Sequence, residues 1–263
     1  MDEKVVVKDA ASFTTVFSDT LPLGAIDLKM SGNGTKMAVT SFDFIIRVYD
    51  LEMMKQVNSF ETNSCHQWKV ATDFTGNHVY TGAHQGVVLG FDTDSGRAIK
   101  KINVKSNEFI TSFATNRVGD LVIGNATGNL FMAKGSTGDI INLNSEHYKY
   151  IRSIEYSNDC TKLIVTSDDL QVSIYDLAEE RCISMLSGHT NTINDLSVHP
   201  QNETFATVSA DKTLKFWDIR NKSYTSTLDS AHNDILWSCK HSTDGELLYT
   251  GSETGYFKAM HLN

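Results

Sequence analysis

Short runs of alternating apolar and polar residues fill this chain, separated by clusters of glycine, asparagine, aspartate and serine. Such runs have the period of two that half-buried strands show, and no segment has a long helical period. The pattern recurs every 42 residues, at Tyr49-Asp50, Phe91-Asp92, Ala133-Lys134, Tyr175-Asp176, Trp217-Asp218 and Ala259-Met260. One apolar position recurs at the same interval, at Met37, Val79, Leu121, Leu163, Phe205 and Leu247. The sequence therefore predicts an all-β fold made of repeats.

The repeat around residue 200 shows most clearly which strands each copy contributes. We predict an inner strand at Ile193–Val198, a second strand at Phe205–Ser209, a third at Leu214–Asp218 and an outer strand at Tyr224–Leu228. Pro200 lies in the turn after the inner strand, where it removes no ladder hydrogen bond. A period of about 40–45 residues ending on a Trp-Asp pair is typical of WD-repeat β-propeller blades. Such blades usually provide interaction surfaces rather than catalytic sites.

The number of blades depends on how the first 23 residues are used. Six sets of inner, second and third strands follow, at residues 24–50, 67–92, 109–134, 151–176, 193–218 and 235–262. Residues 1–23 hold two more strand candidates, at Lys4–Lys8 and Phe13–Phe17. These are either the third and outer strands of a truncated blade in a seven-bladed family, or the second candidate completes the last blade and closes a six-bladed ring. Closure avoids bare strand edges, whereas the register of Lys4–Lys8 points to missing upstream sequence. In either case we expect residues 1–263 to form a single propeller, with six repeats in 24–263.

The fifth repeat also carries a polar constellation, formed by His189, Ser209, Asp211 and Trp217. We predict that the imidazole donates to Asp211 and accepts from Ser209, whose oxygen accepts from the indole N–H. A buried chain of this kind stabilises a fold only when every member has its partner. A catalytic Ser/His/Asp triad uses the same residue types, but this serine is predicted to be buried in a strand. We interpret the four residues as a structural tetrad.

Other repeats keep this tetrad incompletely. The fourth offers His147, Ser167 and Asp169, with Tyr175 where the fifth has tryptophan. The first has only Asp43 among the polar members. These repeats are expected to depend more on apolar packing.

Composition excludes several classes of function. The formal charge of −9 and a pI near 5.4 argue against direct nucleic-acid binding. The longest apolar runs have the length of strands, which argues against a membrane span. The cysteines Cys65, Cys160, Cys182 and Cys239 lack Cys-x-x-Cys spacing, so we predict no metal site and a reducing compartment. The glycine-containing stretch 124–128 lacks the lysine of a phosphate loop, and we expect no cofactor and no enzyme activity.

Three segments carry a more specific resemblance: Ile45–Phe60 (IIRVYDLEMMKQVNSF), Gln67–Asp94 and Ser167–His189. They resemble the family of WD-repeat subunits shared by the superkiller complex and, in animals, the RNA polymerase II-associated factor complex. The resemblance covers nearly the whole chain, but this chain lacks roughly a blade of residues at its start. It implies a non-catalytic scaffold, monomeric within a hetero-complex, in nucleus and cytoplasm. Its implied partners are a helical-repeat subunit beside an RNA helicase, and subunits of the elongation complex.

Partner binding is expected on the propeller rim formed by the loops before the inner strands and by the turns between second and third strands. Aromatic and arginine side chains are favoured at the centres of interfaces. The predicted partner-binding rim consists of His66, Trp68, Tyr148, Tyr150, Arg152, Asp234 and Trp237, with Phe42, His84, Phe109 and Asp168 close by. Trp68 and Trp237 are equally compatible with a place in the core, and Phe109 favours the core. Tyr148 and Tyr150 are expected to be exposed.

Three rival functions remain open at this point. A histone-tail reader would need an acidic or aromatic channel mouth, which the net charge permits. A ubiquitin-ligase adaptor should carry a docking segment outside the propeller, and we expect none here. A propeller enzyme is the remote alternative, for which the adjacent Asp168 and Asp169 are the nearest acid/base candidates.

Overall fold

The computed structural model describes residues 3–62, 68–82, 84–104, 107–228 and 233–262. In this part of the chain, regular structure is β-sheet apart from one 3-10 turn at His84–Gly86. Six sheets contain three or four strands each, and a seventh contains two. The predicted all-β, β-propeller fold with six blades is therefore confirmed. The chain divides into two compact units, Met1–Leu121 with Ala133–Ile140, and Val122–Met132 with Ile141–Asn263.

The first unit contains three complete sheets, with strand orders β1-β2, β3-β4-β5-β6 and β10-β9-β8-β7. Their strands are β1 (Lys4–Lys8), β2 (Thr15–Thr20), β3 (Ala25–Met30), β4 (Lys36–Ser41), β5 (Ile45–Asp50), β6 (Lys55–Glu61), β7 (Lys69–Thr72), β8 (His78–Gly82), β9 (Val87–Asp92) and β10 (Ala98–Asn103). The division between the units passes through the next sheet, which consists of β11 (Ile110–Thr115), β12 (Leu121–Asn125), β13 (Leu130–Ala133) and β14 (Ile140–Asn142).

The second unit contains two four-stranded sheets and one three-stranded sheet, each in sequential strand order. Their strands are β15 (Ile151–Tyr156), β16 (Lys162–Ser167), β17 (Gln171–Asp176), β18 (Arg181–Ser187), β19 (Ile193–Val198), β20 (Thr204–Ser209), β21 (Leu214–Asp218), β22 (Ser223–Leu228), β23 (Leu236–His241), β24 (Leu247–Ser252) and β25 (Phe257–His261). The fifth repeat matches its predicted strands to within one residue at each end.

The 42-residue interval reflects one recurring cross-strand contact. The apolar residue of the second strand lies opposite the aromatic residue of the third, as Met37 does with Tyr49 and Phe205 with Trp217. Phe205 and Trp217 are both buried, and their rings are stacked with centroids 6.0 Å apart. Burial of these pairs in the first, second, fourth and fifth repeats explains why the interval shows so clearly in the sequence.

The first two strands pair with each other. β1 is antiparallel to β2, while the last sheet contains only β23, β24 and β25 among the described residues. The second N-terminal strand therefore covers residues 15–20 rather than the predicted 13–17, and it pairs with β1. Val5 and Leu21 pack on Met37, Val39 and Tyr49 of the neighbouring sheet. The hairpin thus packs against β4 and β5.

Candidate functional site

The polar tetrad of the fifth repeat exists, but its hydroxyl comes from Thr207 rather than Ser209. His189 Nδ1 lies 2.8 Å from Asp211 Oδ2, and His189 Nε2 lies 2.8 Å from Thr207 Oγ1. The indole N–H of Trp217 donates to the same Thr207 oxygen at 2.7 Å. With the carboxylate at Nδ1, the network assigns the imidazole proton to that nitrogen. Trp217, Thr207 and His189 thus form a continuous buried chain that ends at Asp211.

The strand register explains why Thr207, and not the predicted Ser209, provides the hydroxyl that bonds His189 and Trp217. Trp217 lies opposite Phe205, so its indole reaches Thr207 two residues further along the same face of β20. Ser209 lies opposite Ile193 at the strand end, where its hydroxyl donates to the Asn191 carbonyl at 3.1 Å. Thr207 and Ser209 point to the same face, and only the register distinguishes them.

A glycine keeps room for the indole. A Cβ at Gly188 would lie 2.9 Å from the far edge of the Trp217 ring, closer than real contacts allow. This close approach accounts for the Gly-His pair that precedes the inner strand of this repeat.

The fourth repeat rebuilds the same chain with its hydroxyl on another strand. His147 Nδ1 lies 2.8 Å from Asp169 Oδ2, as predicted, but Nε2 bonds Ser173 Oγ at 2.7 Å instead of Ser167. Ser173 lies opposite Val165, which has the position that Thr207 has in the fifth repeat. The hydroxyl of the fourth repeat therefore belongs to the residue that lies opposite this position on the neighbouring strand, and it still forms a hydrogen bond with the imidazole.

In the first repeat an arginine takes the place of the histidine. Arg47 on β5 donates to Asp43 Oδ2 at 2.5 Å and to Ser41 Oγ at 2.7 Å. Its position along the repeat is that of Ser173. A buried carboxylate at this turn is thus paired in all three repeats, although the cation or donor differs. Arg47 was not predicted from the sequence as a member of this network. A charged residue at an otherwise inward-facing strand position is the signal that could have indicated it.

The tetrad carboxylate remains ionised although it is partly removed from water. Burial of Asp211 favours its neutral form, but hydrogen bonds from His189, Thr213 and the Thr190 N–H outweigh this and hold its pKa below the usual range. The chain's hydroxyl and imidazole are buried, so neither can reach a substrate. The arrangement stabilises the blade and gives no support to a catalytic triad.

The predicted rim residues of the first unit form an aromatic cluster. Trp68 is 41% exposed, and its ring lies 6.4 Å from Phe42 and 6.0 Å from Phe109, nearly perpendicular to both. His84 lies 4.8 Å from Phe109 on the other side. We refer to Phe42, Trp68, His84 and Phe109 as the aromatic cluster. Trp68 therefore lies at the surface and not in the core, and Phe109 is half-buried. His66 falls outside the described residues.

The rim residues of the second unit form a different kind of surface. Arg152 makes two hydrogen bonds with the Asp168 carboxylate, at 2.7 and 3.0 Å, and its guanidinium lies 4.8 Å from the centre of the Tyr150 ring. Burial of Tyr150, together with the charge of Asp168, raises its pKa. Tyr148 is 67% exposed, with Lys149 over its ring. Tyr150 is half-buried instead of exposed as predicted.

The remaining two rim residues lie near the start of β23. Trp237 is 50% exposed, so the alternative of a core position is wrong. Asp234 accepts a hydrogen bond from the Thr254 hydroxyl at 2.7 Å and is half-buried. Of the two adjacent acid/base candidates, Asp168 is paired with Arg152 and Asp169 with His147.

The described residues contain neither a cluster of three or more potential metal ligands nor a helix long and apolar enough to cross a membrane.

Comparison with known proteins supports the repeat assignment. The family model of the WD domain, G-beta repeat (WD40) matches residues 180–218 and 222–258. WD repeat-containing protein SL1-17 of Schistosoma mansoni is 25% identical over 61% of this chain and 53% of its own length. The guanine nucleotide-binding protein subunit beta of Zea mays is 33% identical over 41% of this chain and 30% of its own. DDB1- and CUL4-associated factor 10 of Danio rerio is 27% identical over 48% and 25%. The chain thus spans about half or less of these relatives.

Proposed function

We propose that this WD-repeat chain is a non-catalytic protein-interaction scaffold, and a subunit of both the superkiller RNA-decay complex and the RNA polymerase II-associated elongation complex. The observation that carries the scaffold role is the aromatic cluster on the surface of the first unit. The assignment to these complexes rests on the segments Ile45–Phe60, Gln67–Asp94 and Ser167–His189. Under this proposal the chain works in the nucleus and the cytoplasm.

The aromatic cluster has the properties of an interaction centre. Trp68 offers a large, rigid face, and its contacts with Phe42 and Phe109 fix its orientation before a partner arrives. Little side-chain entropy is then lost on binding, which is how aromatic residues at interface centres supply most of the affinity. We propose that an apolar segment of the helical-repeat subunit covers this cluster.

The second unit would contribute less binding free energy than the aromatic cluster. The Arg152–Asp168 pair is already neutralised internally, so a partner gains little from either charge alone. Tyr148 is the most exposed aromatic of this group and can contribute a hydrogen bond and ring contact. A Tyr148→Ala/Tyr150→Ala variant should therefore weaken partner binding. Unchanged affinity for the partner would exclude these two residues from the proposed interface.

The test is affinity purification of the tagged chain from its own cells at moderate salt, with mass spectrometry of the co-purifying proteins. We expect subunits of the superkiller complex, of the elongation complex, or of both. A Phe42→Ala/Trp68→Ala variant should lose them, whereas Ile99→Ala, which alters another exposed apolar residue of the same unit, should retain them. Absence of both sets from the wild-type purification would refute the assignment to these complexes.

A ubiquitin-ligase adaptor is the second candidate, favoured by the similarity to DDB1- and CUL4-associated factor 10. The same purification separates the two functions. Recovery of cullin-type ligase subunits without the other two complexes would support the adaptor.

A further inference from the structure

Phe44 occupies a turn position that favours glycine. It is the last residue of the short loop between β4 and β5, and its φ angle is 62°. A hairpin loop of this length is a turn followed by one residue in the left-handed region. Gly128 and Gly255 have this position in the third and sixth repeats, with φ angles of 90° and 81°. A phenylalanine there is strained, because its Cβ lies too close to the following carbonyl oxygen.

Hydrogen bonds from the surrounding chain hold Phe44 in this conformation. Its N–H donates to the Ser41 carbonyl at 3.1 Å. Its own carbonyl accepts from the Thr62 N–H at 3.3 Å and from the Thr62 hydroxyl at 3.1 Å. The preceding residue, Asp43, accepts from the Ile45 N–H at 3.1 Å. A strained backbone persists only where its surroundings determine it in this way, so the Cα–Cβ direction of Phe44 is fixed before any partner binds.

The side chain of Phe44 recovers only part of what the backbone strain costs. Phe44 is 44% exposed, so a large part of its ring remains in water. Leu170 and Lys212 have the same turn position and backbone conformation in the fourth and fifth repeats. Leu170 is half-buried, and Lys212 has a polar head that favours water. A large apolar ring held at the surface on a strained backbone therefore points to a contact outside the chain.

The same loop supplies Phe42, a member of the aromatic cluster. Phe42 is 38% exposed, and its ring lies 6.4 Å from that of Trp68. Ser41 and Phe44 are the ends of one β-turn, which places their Cα atoms within about 7 Å and keeps Phe42 and Phe44 close together. Met54 is also strained and exposed, with a φ angle of 49°, but it lies beyond the other end of β5. Its place beside the aromatic cluster thus distinguishes Phe44 from Met54.

We propose that Phe44 is a binding residue of the surface centred on the aromatic cluster, and that it contacts the same apolar segment of the partner that covers Trp68. This inference rests on the proposed function of that surface. The partner segment then carries two apolar side chains, one packed on Trp68 and the other on the ring of Phe44. Because the strained turn lowers the stability of the free chain, substitution of Phe44 should change stability and binding in opposite directions.

Replacement of Phe44 by glycine tests both parts of the proposal. Phe44→Gly should raise the urea midpoint, followed by circular dichroism, by about 0.3 M because it relieves the strain. The same variant should lower the recovery of partner subunits in affinity purification about tenfold, as expected for an aromatic residue at an interface. Met54→Gly is the matched control in the same sheet, and it should raise the midpoint while recovery stays complete. Phe44→Tyr keeps both ring and strain, so its midpoint and recovery should equal those of the wild type.

The outcomes separate this inference from the proposed function. A wild-type chain that recovers no subunits of either complex would refute the proposed function and the contact at Phe44 with it. Equal recovery by the wild type and by Phe44→Gly would overturn the inference alone and leave the proposed function standing. A midpoint of Phe44→Gly below that of the wild type would also overturn it, since the phenylalanine would then stabilise the fold. Loss of recovery in Met54→Gly as well would do the same, because the effect would not depend on the aromatic cluster.

Discussion

Replacement of Thr207 by valine tests the buried tetrad at the residue where structure and sequence prediction differ. Valine has nearly the shape of threonine, so Thr207→Val removes a hydroxyl with little change in packing. The change leaves Trp217 Nε1 without its acceptor and His189 Nε2 without its donor. Both groups are buried, and each unsatisfied partner costs about 1–3 kcal/mol. We therefore expect Thr207→Val to lower the free energy of unfolding by about 2–4 kcal/mol.

Ser209→Ala is the matched control, because sequence reasoning assigned it the role that Thr207 performs. Ser209 donates to the Asn191 carbonyl and accepts from the Asp211 N–H at 3.0 Å, contacts that hold the turn only. We expect a loss of about 1 kcal/mol.

Urea unfolding followed by tryptophan fluorescence measures both variants. Trp217 is the buried tryptophan, while Trp68 and Trp237 are exposed, so the signal mainly reports the fifth repeat. A slope of about 3 kcal/mol/M converts the Thr207→Val loss into a midpoint shift of roughly 1 M. A double-mutant cycle with Trp217→Phe, followed by circular dichroism because this variant lacks the buried tryptophan, should give a coupling energy of about 1 kcal/mol. The reasoning is refuted if Ser209→Ala is the more damaging change, or if Thr207→Val unfolds at the wild-type midpoint.

Three further predictions follow from other described residues. Burial and the neighbouring His199 lower the pKa of His241 from 6.5 to about 4, so its stabilising contribution is complete above pH 6.5 and is lost as the pH falls towards 4. His241→Asn should therefore flatten the dependence of the urea midpoint on pH in this range. A dependence that keeps its slope in the variant would contradict the lowered pKa. Arg47→Ala should lower the free energy of unfolding by about 3 kcal/mol because it leaves the Asp43 carboxylate buried without its cation, and chemical denaturation showing a loss below about 1 kcal/mol would disprove this. Burial raises the pKa of the Cys239 thiol well above its usual value, so mass spectrometry after thiol labelling should find Cys239 unmodified in the native protein and modified in urea, whereas native labelling would contradict its burial.

The strands were predictable because burial imposes the repeat on the sequence. Four of the six copies place an apolar second-strand residue opposite an aromatic third-strand residue, as Phe205 and Trp217 show. That arrangement leaves a regular signal, and the fifth repeat could be placed to within one residue. The role of the two N-terminal strands was left open, since pairing of β2 with β1 depends on contacts that no local pattern encodes.

The polar contacts were predictable only in kind. Sequence reasoning identified His189, Asp211 and Trp217, but Thr207 and Ser209 share one strand face, and their roles depend on register. In the fourth repeat the position of Thr207 is taken by Val165, and the hydroxyl comes instead from Ser173, which lies opposite it on the neighbouring strand. The exposure of Trp68 could not be predicted either, because the sequence is compatible with a core or a surface position. In the fold its ring contacts Phe42 and Phe109 and stays at the surface.

The central claim is that partners dock on the aromatic cluster, and the most direct measurement is oxidative footprinting of Trp68 in the isolated chain and in its purified complex. Trp68 is exposed in the chain alone and should become strongly protected in the complex, while Ile99 and Tyr256 should keep their labelling rates. Equal oxidation of Trp68 in both samples would mean that the partner binds elsewhere, and the aromatic cluster would lose its proposed role.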